Sequence, residues 1–111
     1  MRPIKTREEH QAALQKIAHL MKERPKSPRI ELLAILIEAY EREHFVLEYP
    51  NALAAIRFRM EQQNLTQRDL VPYIGTRARV YEVLTGRRRL TLAMIRRLHA
   101  GLHIPAECLI R

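Results

Sequence analysis

The chain has 111 residues, 47% of them apolar and 5% aromatic, and a formal net charge of +8 at pH 7. That length allows one compact domain, or two small helical units sharing a core of Leu, Ile, Ala and Met. The longest apolar run, Leu32 to Ile37, is too short to cross a bilayer, the N-terminal stretch lacks the apolar core of a signal peptide, and a single cysteine, Cys108, excludes an intrachain disulfide. A cytoplasmic protein with no membrane partner is expected.

In chain order, Thr6-Arg7-Glu8-Glu9 has capping-box spacing and opens a first helix. Ala13, Leu14, Ile17, Ala18, Leu20 and Met21 recur on one side of it, and Pro25 ends it. Ser27-Pro28 starts a second helix, with serine as N-cap and proline at the first helical position. Its segment Leu32, Leu33, Ala34, Ile35, Leu36 and Ile37 is apolar all round, more than one neighbouring helix can cover. Leu32, Leu33, Ile35, Leu36 and Ile37 are therefore the candidate homodimer contacts. The chain then turns acidic from Glu38 to Glu48, and Tyr49-Pro50-Asn51 marks the boundary between regions 1–49 and 50–111.

Short helices follow. The first covers about 52–63 with Asn51 as its cap, and a second, capped by Thr66, covers about 67–73. A third, capped by Thr76, covers about 77–85 and ends at Gly86. A fourth, capped by Thr91, covers about 92–100 and ends at Gly101, and Pro105 opens a last short one. No strand pattern is present. The fold class is all-α: an N-terminal helical hairpin followed by a five-helix helix-turn-helix domain.

The charge is unevenly placed. Residues 1–50 hold nine Lys/Arg against eight Asp/Glu, whereas residues 51–111 hold eleven Arg, no Lys and four acids. A positive field confined to one half, and built of planar guanidinium groups, points to phosphate or guanine as its partner. In the stretch 75–91, GTRARVYEVLTGRRRLT, Val80, Val83 and Leu84 form the inward face of a helix. Thr76 then lies at its start and Arg77, Ala78, Arg79, Tyr81, Glu82 and Thr85 on its outward side, where a recognition helix meets base edges of double-stranded DNA; Thr76, Arg77, Ala78, Arg79 and Glu82 are the candidate contacts. Arg87, Arg88 and Arg89 follow the helix and suit the sugar-phosphate backbone. Thr66 and Gln67 open the preceding helix, whose first amides can face a phosphate.

Leu65-Thr66-Gln67-x-x-Leu70, then Ile74-Gly75, then Val80 and Gly86-Arg87-Arg88-x-Leu90-Thr91 resembles the Cro/C1-type (XRE) helix-turn-helix, which implies a lambda-repressor-like fold for the five-helix domain. More narrowly, 83–92 closing into Ile104-Pro105-Ala106-Glu107-Cys108-Leu109-Ile110 is similar to antitoxins of the HigA type. Two departures from the XRE pattern stand out. Gly75 to Val80 is one residue shorter than in phage repressors, and Met60 and Leu84 occupy positions where many such domains pair arginine with glutamate. The HigA resemblance implies an antitoxin that neutralises a small RelE/HigB-like mRNA-cleaving toxin and represses its own operon. A basic toxin suits the acidic side of the first half, so Glu41, Phe45, Leu47 and Glu48 are the candidate toxin contacts.

A stand-alone dimeric XRE-family repressor and an adaptor that no longer binds DNA are the other readings, and the arginines of 77–89 argue against the adaptor. Neither a nucleophile with a base nor a glycine-rich phosphate loop is evident, so no enzyme and no cofactor are expected. His99 and His103 are four apart but lack zinc-site company, so no metal is expected either. Cys108 reads as a half-buried small apolar residue.

Overall fold

The computed structural model describes residues 2–44, 49 and 51–110. All regular elements among them are helical. Helix α1 spans Arg7–Glu23 and α2 spans Arg29–Glu43, and the two form a hairpin. The capping box at Thr6 is formed: Thr6 Oγ1 accepts from the Glu9 amide at 3.1 Å, and Glu9 Oε1 accepts from the Lys5 and Thr6 amides. The bond from Lys5 is the leading reason why the Glu9 carboxyl is held below its ordinary range. At the second helix the expected cap shifts by one residue. Pro28 is the N-cap, and Ser27 Oγ instead accepts from the Arg29 amide at 3.2 Å, closing a local turn.

Helices α3 (Ala52–Gln63), α4 (Val71–Ile74), α5 (Arg77–Leu84), α6 (Leu92–Leu102) and α7 (Ala106–Leu109) follow. Asn51 precedes α3 without a side-chain cap, its backbone already in the right-handed helical region. The expected single helix over 67–73 is split into a 3-10 turn, Gln67–Leu70, and α4. Pro72 explains the break: it has no amide hydrogen for an i→i−4 bond, so it is accommodated only within the first turn of a new helix.

Gly101 does not end α6. The helix continues to Leu102 and closes on His103, which takes the left-handed conformation at φ 57°. The glycine is there for packing. A Cβ at 101 would lie 2.1 Å from a ring carbon of Tyr73, so only glycine lets α4 and α6 approach this closely. That contact offsets the helix-propensity cost of glycine, about 1 kcal/mol.

One continuous core runs through both halves of the chain. Leu14, Ile17 and Ile37 from the hairpin, Ile56 from α3, and Leu92, Ile95 and Leu98 from α6 are all essentially fully buried. Helix α7 joins them, packing against α1, α3 and α6. Its Leu109 is buried, whereas Cys108 is exposed, contrary to the half-buried expectation. No described helix is long and apolar enough to cross a membrane.

A polar cluster is sealed into the hairpin. His10 is fully buried and Glu41 is 4% exposed. His10 Nε2 lies 3.1 Å from Glu41 Oε2, and the Tyr49 hydroxyl donates to the same oxygen at 2.6 Å. The ring of His10 stacks on Tyr40, which stacks on His44. Glu41 therefore ties α1, α2 and the approach to α3 together and does not offer its carboxylate to a partner at the surface. Its expected role as a toxin contact is withdrawn on this ground. Phe45, Leu47 and Glu48 lie outside the described residues.

Of the five apolar dimer candidates, Leu33 and Ile37 are buried in the chain's own core, and Leu36 is half-buried. Leu33 and Ile37 pack inward, so these two do not form an exposed contact face. Leu32 at 52% and Ile35 at 61% exposure remain as large apolar side chains open to solvent.

Candidate nucleic-acid interface

The turn Ile74-Gly75-Thr76 joins α4 to α5 and is set by two residues. Gly75 has φ +139°, and a Cβ there would meet Arg79 Cδ at 3.0 Å, so the arginine stem packs directly over the glycine. Thr76 caps α5 by accepting from the Arg79 amide at 3.2 Å. Val80, Val83 and Leu84 then face the core, as their spacing requires. Arg77, Ala78, Arg79, Tyr81 and Thr85 are exposed.

Helix α5 ends in a Schellman motif. The Arg87 amide donates to the Glu82 carbonyl at 2.8 Å, and the Gly86 amide donates to the Val83 carbonyl at 3.1 Å. Gly86 supplies the left-handed φ of +79° that this closure needs. The closure also fixes the direction in which Arg87, Arg88 and Arg89 leave the helix. Arg79, Arg88 and Arg89 line one concavity of about 320 Å³ together with Thr91 and Met94. Arg87 stands over the Tyr81 ring, 5.7 Å from its centroid.

Glu82 is partly spoken for, with Oε1 3.6 Å from Arg88 Nε. At the start of the 3-10 turn, Asp69 Oδ2 accepts from the Thr66 amide at 2.8 Å and from its hydroxyl at 3.2 Å. Both donors of Thr66 are thus occupied by a carboxylate, while Gln67 stands exposed beside it.

Not all the arginine excess faces outward. Arg57 donates to the Leu84 carbonyl at the end of α5, and Arg97 Nε to the Tyr73 carbonyl at the end of α4, at 2.8 Å. Arg59 donates to the His103 carbonyl after α6 at 3.2 Å, and Arg89 Nη1 to the His44 carbonyl after α2 at 2.9 Å. In each case a cation satisfies carbonyls that the helix leaves unpaired, at the negative end of its dipole. Arg96 forms a two-pronged pair with Glu31 across α6 and α2. Its hydrogen bond, and then its charge, lower the Glu31 carboxyl from its ordinary value. These structural roles leave no trace at the level of composition, because each depends on a carbonyl distant in sequence.

The structure therefore brings Arg79, Arg88 and Arg89 together, sets Arg77 and Ala78 on the same exposed first turn, and leaves Tyr81 and Thr85 exposed on the outward side where their spacing placed them. The arrangement can hold phosphate groups at the arginines and offer a helix face beside them. His99 Nδ1 lies 2.7 Å from the Ile104 carbonyl, and among the described residues no group of three or more His, Cys, Asp or Glu side chains could hold a metal ion.

Residues 1–51 match the family model described as HigA antitoxin, N-terminal domain. Antitoxin HigA of Escherichia coli is 33% identical to this chain over 103 residues, spanning 86% of this chain and 74% of the relative. The same values hold for Antitoxin HigA of a second Escherichia coli strain and of Shigella flexneri. The chain belongs to the HigA antitoxin family. The hairpin α1–α2 is thus the HigA N-terminal domain, and the basic helix face lies in the part of this HigA-family chain beyond it.

Proposed function

We propose that this HigA-family chain neutralises a RelE/HigB-like mRNA-cleaving toxin and represses its own operon as a dimer bound to operator DNA. One observation carries the DNA-binding half: Arg79, Arg88 and Arg89 converge on one concavity beside the exposed first turn of α5. Arg77 and Arg79 meet guanine edges, Arg87 and Arg88 the sugar-phosphate backbone, and Thr76, Ala78 and Gln67 border the same face. Arg89 divides its donors between the His44 carbonyl and the phosphates. Family membership supports the antitoxin half. In the acidic stretch after α2, Phe45, Leu47 and Glu48 remain the toxin-facing candidates. The protein works by binding, without a cofactor, in the cytoplasm.

Co-expression tests the pairing. A neighbouring reading frame for a small basic RelE-like protein should arrest growth when expressed alone, and this chain should restore it. If arrest persists in the presence of the folded chain, the antitoxin reading fails and the stand-alone repressor takes its place.

A dimer follows from Leu32 and Ile35, two large apolar side chains exposed on one helix. A two-fold pair of recognition helices reads half-sites about one turn of DNA apart. The double variant Leu32→Glu, Ile35→Glu should keep the helical circular dichroism of the parent and sediment as a monomer, while the parent sediments as a dimer. Substitution is preferable to deleting the hairpin, because deletion would uncover the core surface shared by α1 and α7. A dimeric double variant would move the interface elsewhere.

A further inference from the structure

The outward face of α5 is less polar than its sequence indicates. Ala78, Tyr81 and Thr85 lie at i, i+3 and i+7, which places them in line along consecutive turns, opposite the buried Val80, Val83 and Leu84. The Thr85 hydroxyl is turned back onto the helix: Oγ1 donates to the Tyr81 carbonyl at 2.8 Å and lies 3.3 Å from the Glu82 carbonyl oxygen. Its γ-methyl is the group left for a partner. Glu82, the neighbouring polar residue, is drawn toward Arg88. Tyr81 is 45% exposed, and its ring is fixed from one side by the Arg87 guanidinium. What the middle of this face presents is therefore a methyl, an aromatic ring that carries a hydroxyl, and a second methyl, with arginines only at its flanks.

We propose that Ala78, Tyr81 and Thr85 form an apolar reading stripe for the 5-methyl groups of thymine, with Tyr81 as its central specificity-determining residue. The inference rests on the DNA-binding reading above and deepens it. The thymine methyl is the apolar group that the major groove displays, and small or aromatic side chains read it by contact. A hydrogen-bonding base edge would find one side-chain partner in this stripe, the Tyr81 hydroxyl, whereas a thymine methyl can lie against the ring and the two methyls. The operator half-site should then carry T·A pairs where the centre of α5 lies, flanked by G·C pairs read by Arg77 and Arg79.

Deoxyuridine tests this directly, because it keeps every hydrogen-bonding group of thymine and lacks only the methyl. The full chain is titrated against the DNA upstream of its own gene, with thymines replaced one at a time by deoxyuridine. Burial of one methyl corresponds to about a fourfold change in affinity. The parent should lose about that factor at one or more half-site positions. Tyr81→Phe should show the same loss, and Tyr81→Ala should bind the thymine and uracil forms equally at its position. A parent indifferent to every replacement, or a Tyr81→Ala variant that keeps every loss, would overturn the stripe while leaving DNA binding intact. If the parent shows no preference for the upstream DNA over a scrambled duplex, the DNA-binding reading fails and takes the stripe with it.

Discussion

Replacing Glu41 by alanine should lower the stability of the chain by about 3 kcal/mol, read as a fall in the urea midpoint at neutral pH with an unchanged m-value. The carboxylate is 4% exposed, and one of its oxygens serves both His10 Nε2 and the Tyr49 hydroxyl. Truncation would remove the oxygen that both groups share and open a cavity between α1 and α2. Losing a buried hydrogen-bonded charge and leaving a cavity costs about 2–5 kcal/mol, a large fraction of what a domain of this size has. Glu41→Gln keeps a carbonyl oxygen in place and should recover part of the loss. An alanine variant with the parent's midpoint would mean that the cluster contributes nothing net. The same experiment separates two views of the acidic segment. A surface glutamate would leave stability untouched and alter only partner affinity, whereas this one should do the reverse of what its charge suggests.

The second large effect concerns DNA. Arg77→Ala and Arg79→Ala should each cost about 1–3 kcal/mol on the operator and little on random duplex. Arg77→Ala is the cleaner of the two, because the Arg79 stem also covers Gly75 in the turn. Arg88→Ala should weaken operator and random duplex alike and reduce the slope of log affinity against log salt by about one. Fluorescence anisotropy over a series of salt concentrations measures both quantities. Equal losses on operator and random DNA for all three variants would place the groove-facing side of α5 elsewhere.

Local signals placed most of the elements. Thr6, Thr76 and Thr91 cap the helices they were expected to cap, and each accepts from the amide three residues on. Gly86 closes α5 where a left-handed residue was required. The failures were also local: one signal was overruled by a contact from afar, and one was present but not weighed. Gly101 reads as a helix end until the Tyr73 ring is seen to occupy the space its Cβ would need. Pro72, inside an otherwise helical pattern, divides that pattern in two.

What the amino-acid sequence determined by itself was the all-α class, the order of its helices, the inward face of α5 and the family to which the HigA resemblance pointed. Periodicity and caps act within a few residues along one chain segment, so they can be read without knowing what lies across the core. Only the tertiary structure decided which charges are available. Glu41 is consumed by His10 and Tyr49, four arginines are spent wholly or in part on helix-end carbonyls, and Leu33 and Ile37 disappear into the core. The physical reason is that a charged or apolar side chain has no fixed role until its surroundings are known. Desolvation and a partner's geometry determine whether it faces solvent, and both are supplied by residues distant in sequence.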